Sequence, residues 1–263
     1  MPEGRQARPL SEVEPELLRE STDAINALIA ERLPLQSPPG DEWPPIALGF
    51  LARGGTLLES LTQLVEQGMH GEAQMLLRVV FEHVATFCWL AIDPMVHLGQ
   101  WREWSDARRL KLHRDALRFG IEVLTPDEVT ASEGATRPLP LPQMAQEIDE
   151  YWSEVSTAFR PYTEGGDDPP SILTFRGFYT AVYRKGSNLI HADMASPDRF
   201  ATMPLIGQVT IHAREKRSEN PDYPAFSIAL VGFLLIVFDH HFSWPGRDLI
   251  DRITNALMYY PDD

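Results

Sequence analysis

A single cysteine, Cys88, supplies the one thiol that the 263-residue chain offers. One thiol forms no intrachain disulfide framework and no structural zinc site built from several thiolates, a usage that fits the cytoplasm. Basic residues are scarce too: 23 Lys and Arg stand against 38 Asp and Glu, a formal net charge of -15. That surplus repels polyanions at long range and argues against generic coating of DNA, while leaving a local pocket for RNA or a phosphate open. Long hydrophobic runs are missing. The most apolar stretch, Ala225 to Phe238 (AFSIALVGFLLIVF), has 14 residues and contains Ser227 and Gly232, short of the ~18 or more that span a bilayer. It reads as a buried helix, and no membrane partner is expected. Met1 to Leu10 carries two arginines but no apolar core of the about 7–15 residues that a secretory signal needs.

Familiar catalytic signatures are also lacking. Gly165-Gly166 sits in an acidic loop with no following Lys-Ser or Lys-Thr, so it is no phosphate loop, and no G-x-S-x-G elbow occurs. What remains is an ordinary globular composition, 43% apolar and 23% charged, which implies neither general disorder nor a fibrous repeat. The length suits one hydrophobic core. The chain therefore reads as a flexible tail over 1–10 and a single all-α domain over 11–263.

Apolar periodicity predicts the helices. Ser11 to Leu33 is amphipathic, with Ser11 as a cap and Pro34 as a stop; Leu35 to Pro45 is proline-rich loop. Ile46 to Glu66 follows as a second helix, in which Gly54-Gly55 produces a kink or a close packing contact. Glu72 to Ile92 becomes apolar on nearly every side between Leu76 and Ala91, the mark of a central helix. Met95 to Phe119 is amphipathic and basic, with Lys111, Arg114 and Arg118 recurring at three and four residues; a solvated or acid-paired face competes there with a phosphate contact. Thr125 to Pro142 reads as loop, Gln143 to Phe159 as helix, and Ser171 as the cap of a helix reaching about His191. A short β-hairpin is expected near 202–215, where VTIHA alternates. Helices near Ala225–His241 and Arg247–Tyr259 complete the chain.

Two apolar helices carry the polar residues that stand out. Arg78 and Glu82 are four apart, within salt-bridge reach on one face. Inside MLLRVVFEHVATFCWL an unpaired charge is too costly to bury, so the two must pair with each other, with another helix or with a ligand. In YRKGSNLIHAD, Tyr183, Ser187 and His191 recur every four residues and line one face of an α-helix, drifting about 40° per step. A histidine held by a neighbouring hydroxyl suits general acid or base work near neutral pH; a satisfied packing histidine is the structural alternative. If the two helices pack together, Arg78 or Glu82 meets His191 in one polar cluster. Asp239, His240 and His241 are metal-capable, but adjacent helical residues point in different directions. His191 with Asp193 has no obvious third ligand. Neither a metal nor another cofactor is expected, and Cys88 lies in an apolar helix that argues for burial over reactivity.

Arg184 and His191 are seven apart, almost two turns, and share a face. This R-x(4–6)-H spacing resembles the HEPN superfamily, helical proteins often found as dimers, many of which cut RNA without a metal. The resemblance implies a homodimer in which His191 acts as acid or base at the ribose 2′-hydroxyl and Arg184 stabilises the phosphate charge. Lys185 departs from the polar residue usual after the arginine. A closer resemblance joins GEAQMLLRVVFEHVATFCWLAIDP to YRKGSNLIHAD. The pair is similar to a bacterial helical family of unknown function with R-x-x-x-E on one helix and Y-x-x-x-S-x-x-x-H on another, matched by Arg78, Glu82, Tyr183, Ser187 and His191. It implies shared architecture and assigns no activity. The expectation is a cytoplasmic helical protein acting on RNA or a nucleotide in defence or stress, with a non-enzymatic ligand-binding or protein-interaction module as the alternative.

Overall fold

The computed structural model describes residues 18–20, 22–23, 26–27, 30, 41–135, 139–152, 174–184, 201–205, 208–211 and 223–242. The fold is all-α, as expected. Helices α1 (Trp43–Glu66), α2 (His70–Leu90), α3 (Pro94–Leu117), α4 (Pro126–Ser132), α5 (Leu141–Tyr151) and α6 (Phe175–Phe178) lead into a π-helix (Tyr179–Arg184). The expected hairpin follows as β1 (Ala201–Leu205) and β2 (Gln208–Ile211), and then α7 (Tyr223–Phe242). The two strands are antiparallel, pairing Ala201 with Ile211 and Leu205 with Gln208, with a register shift between Thr202 and Leu205. The predicted tail over 1–10, Ser187, His191 and the predicted helix 247–259 lie outside the described residues.

Helix α2 is central, as its apolar run predicts. It packs against α1, α5, α7 and the π-helix, with Val80, Phe81, Val84, Ala85, Phe87 and Cys88 fully buried. Helix α7 is the second core element: from Phe226 to Leu235 every residue is buried. Side chains of this kind contribute about 1.5–3 kcal/mol each when removed from water. Among the described residues no helix is long and apolar enough to cross a membrane.

The Gly54-Gly55 pair resolves as close packing. A Cβ on Gly54 would stand 3.3 Å from Leu234 Cδ1 of α7, so the missing side chain lets α1 and α7 approach. Gly68 terminates α1 at φ 73°, with its N–H donating to Val65 O and that of Met69 to Leu64 O. These are the paired bonds of a Schellman cap, which needs a left-handed residue at this point.

Three expectations need correction. Prolines 44 and 45, assigned above to a loop, stand in the first turn of α1, where a missing N–H leaves no intrahelical bond broken. The stretch from Thr125 to Pro142 is not all loop. Thr125 and Glu128 form a reciprocal capping box around Pro126 and start α4, a signature readable as T-x-x-E with proline at the first helical position. The helix sought from Ser171 has its described start at the Thr174 cap, whose hydroxyl accepts from Gly177 N, and it changes to i→i+5 geometry from Tyr179.

Helix α5 ties the site-bearing segments together. Trp89 Nε1 donates to Glu147 Oε2 at 2.7 Å, and Trp152 Nε1 donates to Cys88 O at 3.0 Å. Asp149 then receives the backbone N–H groups of Phe175 at 2.7 Å and Arg176 at 3.1 Å. Burial pushes the Asp149 carboxyl above its usual range, opposed by these two bonds. This clamp fixes where α6, and the π-helix after it, meets α2.

Candidate functional site

Arg78 and Tyr183 meet across 105 positions of sequence: the guanidinium donates from Nη2 to the Tyr183 hydroxyl at 3.1 Å. Its Cζ also stands 4.5 Å from the Tyr183 ring centroid. From the same guanidinium, Nε donates to Glu82 Oε1 at 3.2 Å. The predicted i,i+4 ion pair therefore exists, and the two helices that carry the conspicuous residues do pack together. Exposure divides the pair. The Arg78 side chain is 19% exposed and that of Glu82 45%, so the carboxylate stays solvated while the arginine is held against the tyrosine. The α2 run is thus less uniformly buried than its apolarity predicts, since Val79 is also exposed.

An aromatic ladder supports this contact. Tyr179 and Tyr183 stack with centroids 5.1 Å apart and planes 17° apart, and Phe81 of α2 lies 6.4 Å from one ring and 6.1 Å from the other. Val182 points into the core and Arg184 is exposed. π-Helical turns are rare and concentrate at functional sites; here one delivers a buried anchor, a tyrosine on an arginine and an outward cation in three consecutive residues. The structure thus brings Arg78, Glu82 and Tyr183 together and places Arg184 one residue further on.

Two open depressions adjoin the cluster, one at Tyr179 and one at Glu82. One of about 800 Å³ is lined by Asp149, Arg176, Tyr179 and Thr180 among others. The other, about 510 Å³, lies between α1, α2 and α3 and is lined by Ile46, Gly49, Phe50, Glu82, His83, Thr86, Val79 and Trp101. In the second, His83 Nε2 lies 2.7 Å from Phe50 O. A carbonyl only accepts, so that nitrogen carries the hydrogen. The imidazole also stacks on the Phe50 ring at 4.8 Å. Burial holds its pKa below the usual histidine value, opposed by the Phe50 bond and reinforced by the charge of Arg53.

Sequence reasoning did not single out this second cavity or Asp149. The signal for the cavity was Ile46, Gly49 and Phe50 on one face of α1 at helical spacing, which reads equally as core. Elsewhere, His241 meets the Ala91 carbonyl at 2.7 Å and its pKa is lowered by burial. The basic residues of α3 and its end divide: Arg109 pairs with Glu128 and Arg118 with Asp115, while Lys111 and Arg114 are exposed.

Among the described residues the architecture is that of an all-α domain with a polar contact between α2 and the π-helix. The chain belongs to DUF5677, a family of unknown function whose profile matches residues 45–204. Membership of an uncharacterised helical family is thus borne out, and the match spans Arg78, Glu82, Tyr183, Arg184, Ser187 and His191. No curated protein and no solved structure matches the chain.

Proposed function

We propose that the chain acts on RNA, cleaving it without a metal at the seam between α2 and the π-helix, in a defence or stress setting. The observation that carries this reading is the Arg78–Tyr183 hydrogen bond, which joins the segment bearing Arg184 and, further on, Ser187 and His191 to the segment bearing Arg78 and Glu82. In this reaction His191 removes the proton of the ribose 2′-hydroxyl, and the 2′-oxygen bonds to phosphorus. The P–O5′ bond breaks and the 5′-oxygen takes up a proton from the imidazolium so formed, giving a 2′,3′-cyclic phosphate and a 5′-hydroxyl. Exposed Arg184 neutralises the charge that builds on the phosphate oxygens, and Arg78 with Tyr183 positions the helix that carries it. Two copies contribute Arg184 and His191, so the active species is a homodimer.

The test incubates a mixed RNA pool with wild type, His191→Ala and Arg184→Ala in chelator, beside thermal melts of each and sedimentation of the wild type. Cleavage by a wild-type dimer, lost in variants that melt normally, supports the reading. No cleavage by the wild type sinks it.

The completeness of the Arg78 network favours a second reading. Both partners of the guanidinium lie within the protein, and a charge satisfied in this way can serve register alone. On that reading the chain is a ligand-binding or protein-interaction module, and His191→Ala lowers stability by a few kcal/mol with no RNA cleavage to lose.

A further inference from the structure

We infer that the groove between α1, α2 and α3 is a guanine-recognition subsite, taking the base of a guanosine nucleotide or of a guanosine residue in RNA. This rests on the nucleotide-directed reading of the adjoining seam and names its base. A donor and acceptor census of the groove carries it. Glu82 contributes a carboxylate, which only accepts, and one of its oxygens is engaged by Arg78 Nε at 3.2 Å. Thr86 donates its hydroxyl proton to Glu82 O at 2.7 Å, so its oxygen has only lone pairs left to offer. His83 commits its Nε2 hydrogen to Phe50 O; burial favours the neutral ring, which leaves Nδ1 as an acceptor. The remaining lining is apolar or aromatic, with Phe50 and Trp101 centroids 5.8 Å apart, and the Trp101 indole adds one N–H donor, which suits an acceptor such as a guanine carbonyl. A fitting occupant is flat, apolar on its faces and rich in donors along one edge.

Guanine alone among the common bases meets that description. Its Watson–Crick edge sets N1–H beside N2–H, two parallel donors that match one carboxylate. Adenine and cytosine place a ring acceptor beside a single amino group, and uracil flanks one N–H with two carbonyls. Aromatic side chains supply stacking to any base, so discrimination falls to Glu82. The volume of about 510 Å³ is in the range of small-ligand pockets.

Gly49 provides a clean test. It lines the groove, and a Cβ built on it meets nothing within 4 Å, so Gly49→Leu fills the groove without a clash at its first atom. Titrating the full chain with guanosine 5′-monophosphate and with adenosine 5′-monophosphate, followed by calorimetry and tryptophan fluorescence, is expected to show at least tenfold tighter binding of the guanosine nucleotide. That binding is expected to vanish in Gly49→Leu and the preference to collapse in Glu82→Gln, with Val79→Phe as a second blocking variant should Gly49→Leu melt early. Equal affinity for the two nucleotides, or guanosine nucleotide binding untouched by both blocking variants, overturns the inference. RNA cleavage with no guanosine nucleotide binding overturns the guanine subsite and leaves the ribonuclease reading standing. Selective binding with no cleavage does the reverse.

Discussion

Replacing Tyr183 by Phe removes one oxygen from the seam and leaves its packing alone. The ring stays under the Arg78 guanidinium, 4.5 Å from Cζ, and stacked on Tyr179. What is lost is the 3.1 Å hydrogen bond from Nη2, made by a charged donor whose side chain is 19% exposed. A hydrogen bond to a charged group is worth about 1.5–3 kcal/mol. Partial solvation of Arg78 and its retained bond to Glu82 place the loss at the lower end, about 1–2 kcal/mol. Arg78→Met removes the same bond together with a cation–π contact of about 0.5–2 kcal/mol. Glu82, 45% exposed, is rehydrated at little penalty. The two changes share one interaction, so urea denaturation of both single variants and the double variant is expected to give a coupling of about 1 kcal/mol. Independent sites add to within about 0.3–0.5 kcal/mol. A cycle that closes that tightly refutes the claim that this bond joins the two segments.

The remaining expectations concern the core. Cys88 is fully buried and its thiol is pushed far above the ordinary range by burial; a thiol reagent such as Ellman's is expected to label it at the rate of unfolding, and fast labelling of folded protein would show that α2 is not sealed. His83 and His241 both have pKa values lowered by burial from 6.5. Their contribution to stability is therefore full above pH about 6.5 and is lost as pH falls through the lowered values. The melting temperature should drop as pH falls below 6.5, and less steeply when both are glutamine; parallel curves would refute the assignment. Gly54→Val is expected to cost about 1–3 kcal/mol by overpacking, because its first added atom already meets Leu234 at 3.3 Å. Gly49→Ala, unobstructed, should gain up to about 1 kcal/mol from helix propensity. Equal effects at the two positions would mean that α1 and α7 are not packed through Gly54.

Most of the helical layout was legible because burial writes a period into the chain. The central helix was expected at Glu72–Ile92 and is found at His70–Leu90; the apolar run Ala225–Phe238 lies within Tyr223–Phe242. Errors gathered at proline. Pro44 and Pro126 fall in the stretches Leu35–Pro45 and Thr125–Pro142 that read as loop, yet both stand in the first turn of a helix. The same residue type breaks a helix interior and opens a helix start, so only its neighbours decide. Thr125 and Glu128 supplied that context for Pro126; Pro44 had only Asp41, whose side chain accepts from Trp43 N.

The site was legible where chemistry forced it and illegible where packing made it. An arginine inside an apolar run has to find partners, which made the meeting of Arg78 with Glu82 and with a second helix an argument from solvation, and both contacts are present. The stripe of Tyr183, Ser187 and His191 rested instead on 3.6-residue geometry. Of that stripe only Tyr183 is described, and it stands in a π-helical turn over Tyr179–Arg184 that runs i→i+5; Ser187 and His191 lie outside the described residues. The groove is harder still. It takes one to four residues from each of three helices, and of these only Glu82 stands out in the sequence. Its character arises from what the polar ones have already given away: Thr86 its proton to Glu82 O, His83 its Nε2 hydrogen to Phe50 O. The His83 commitment depends on the distance between α1 and α2, which no residue type or spacing encodes, and together they leave Glu82, Thr86 and His83 with lone pairs to offer a donor.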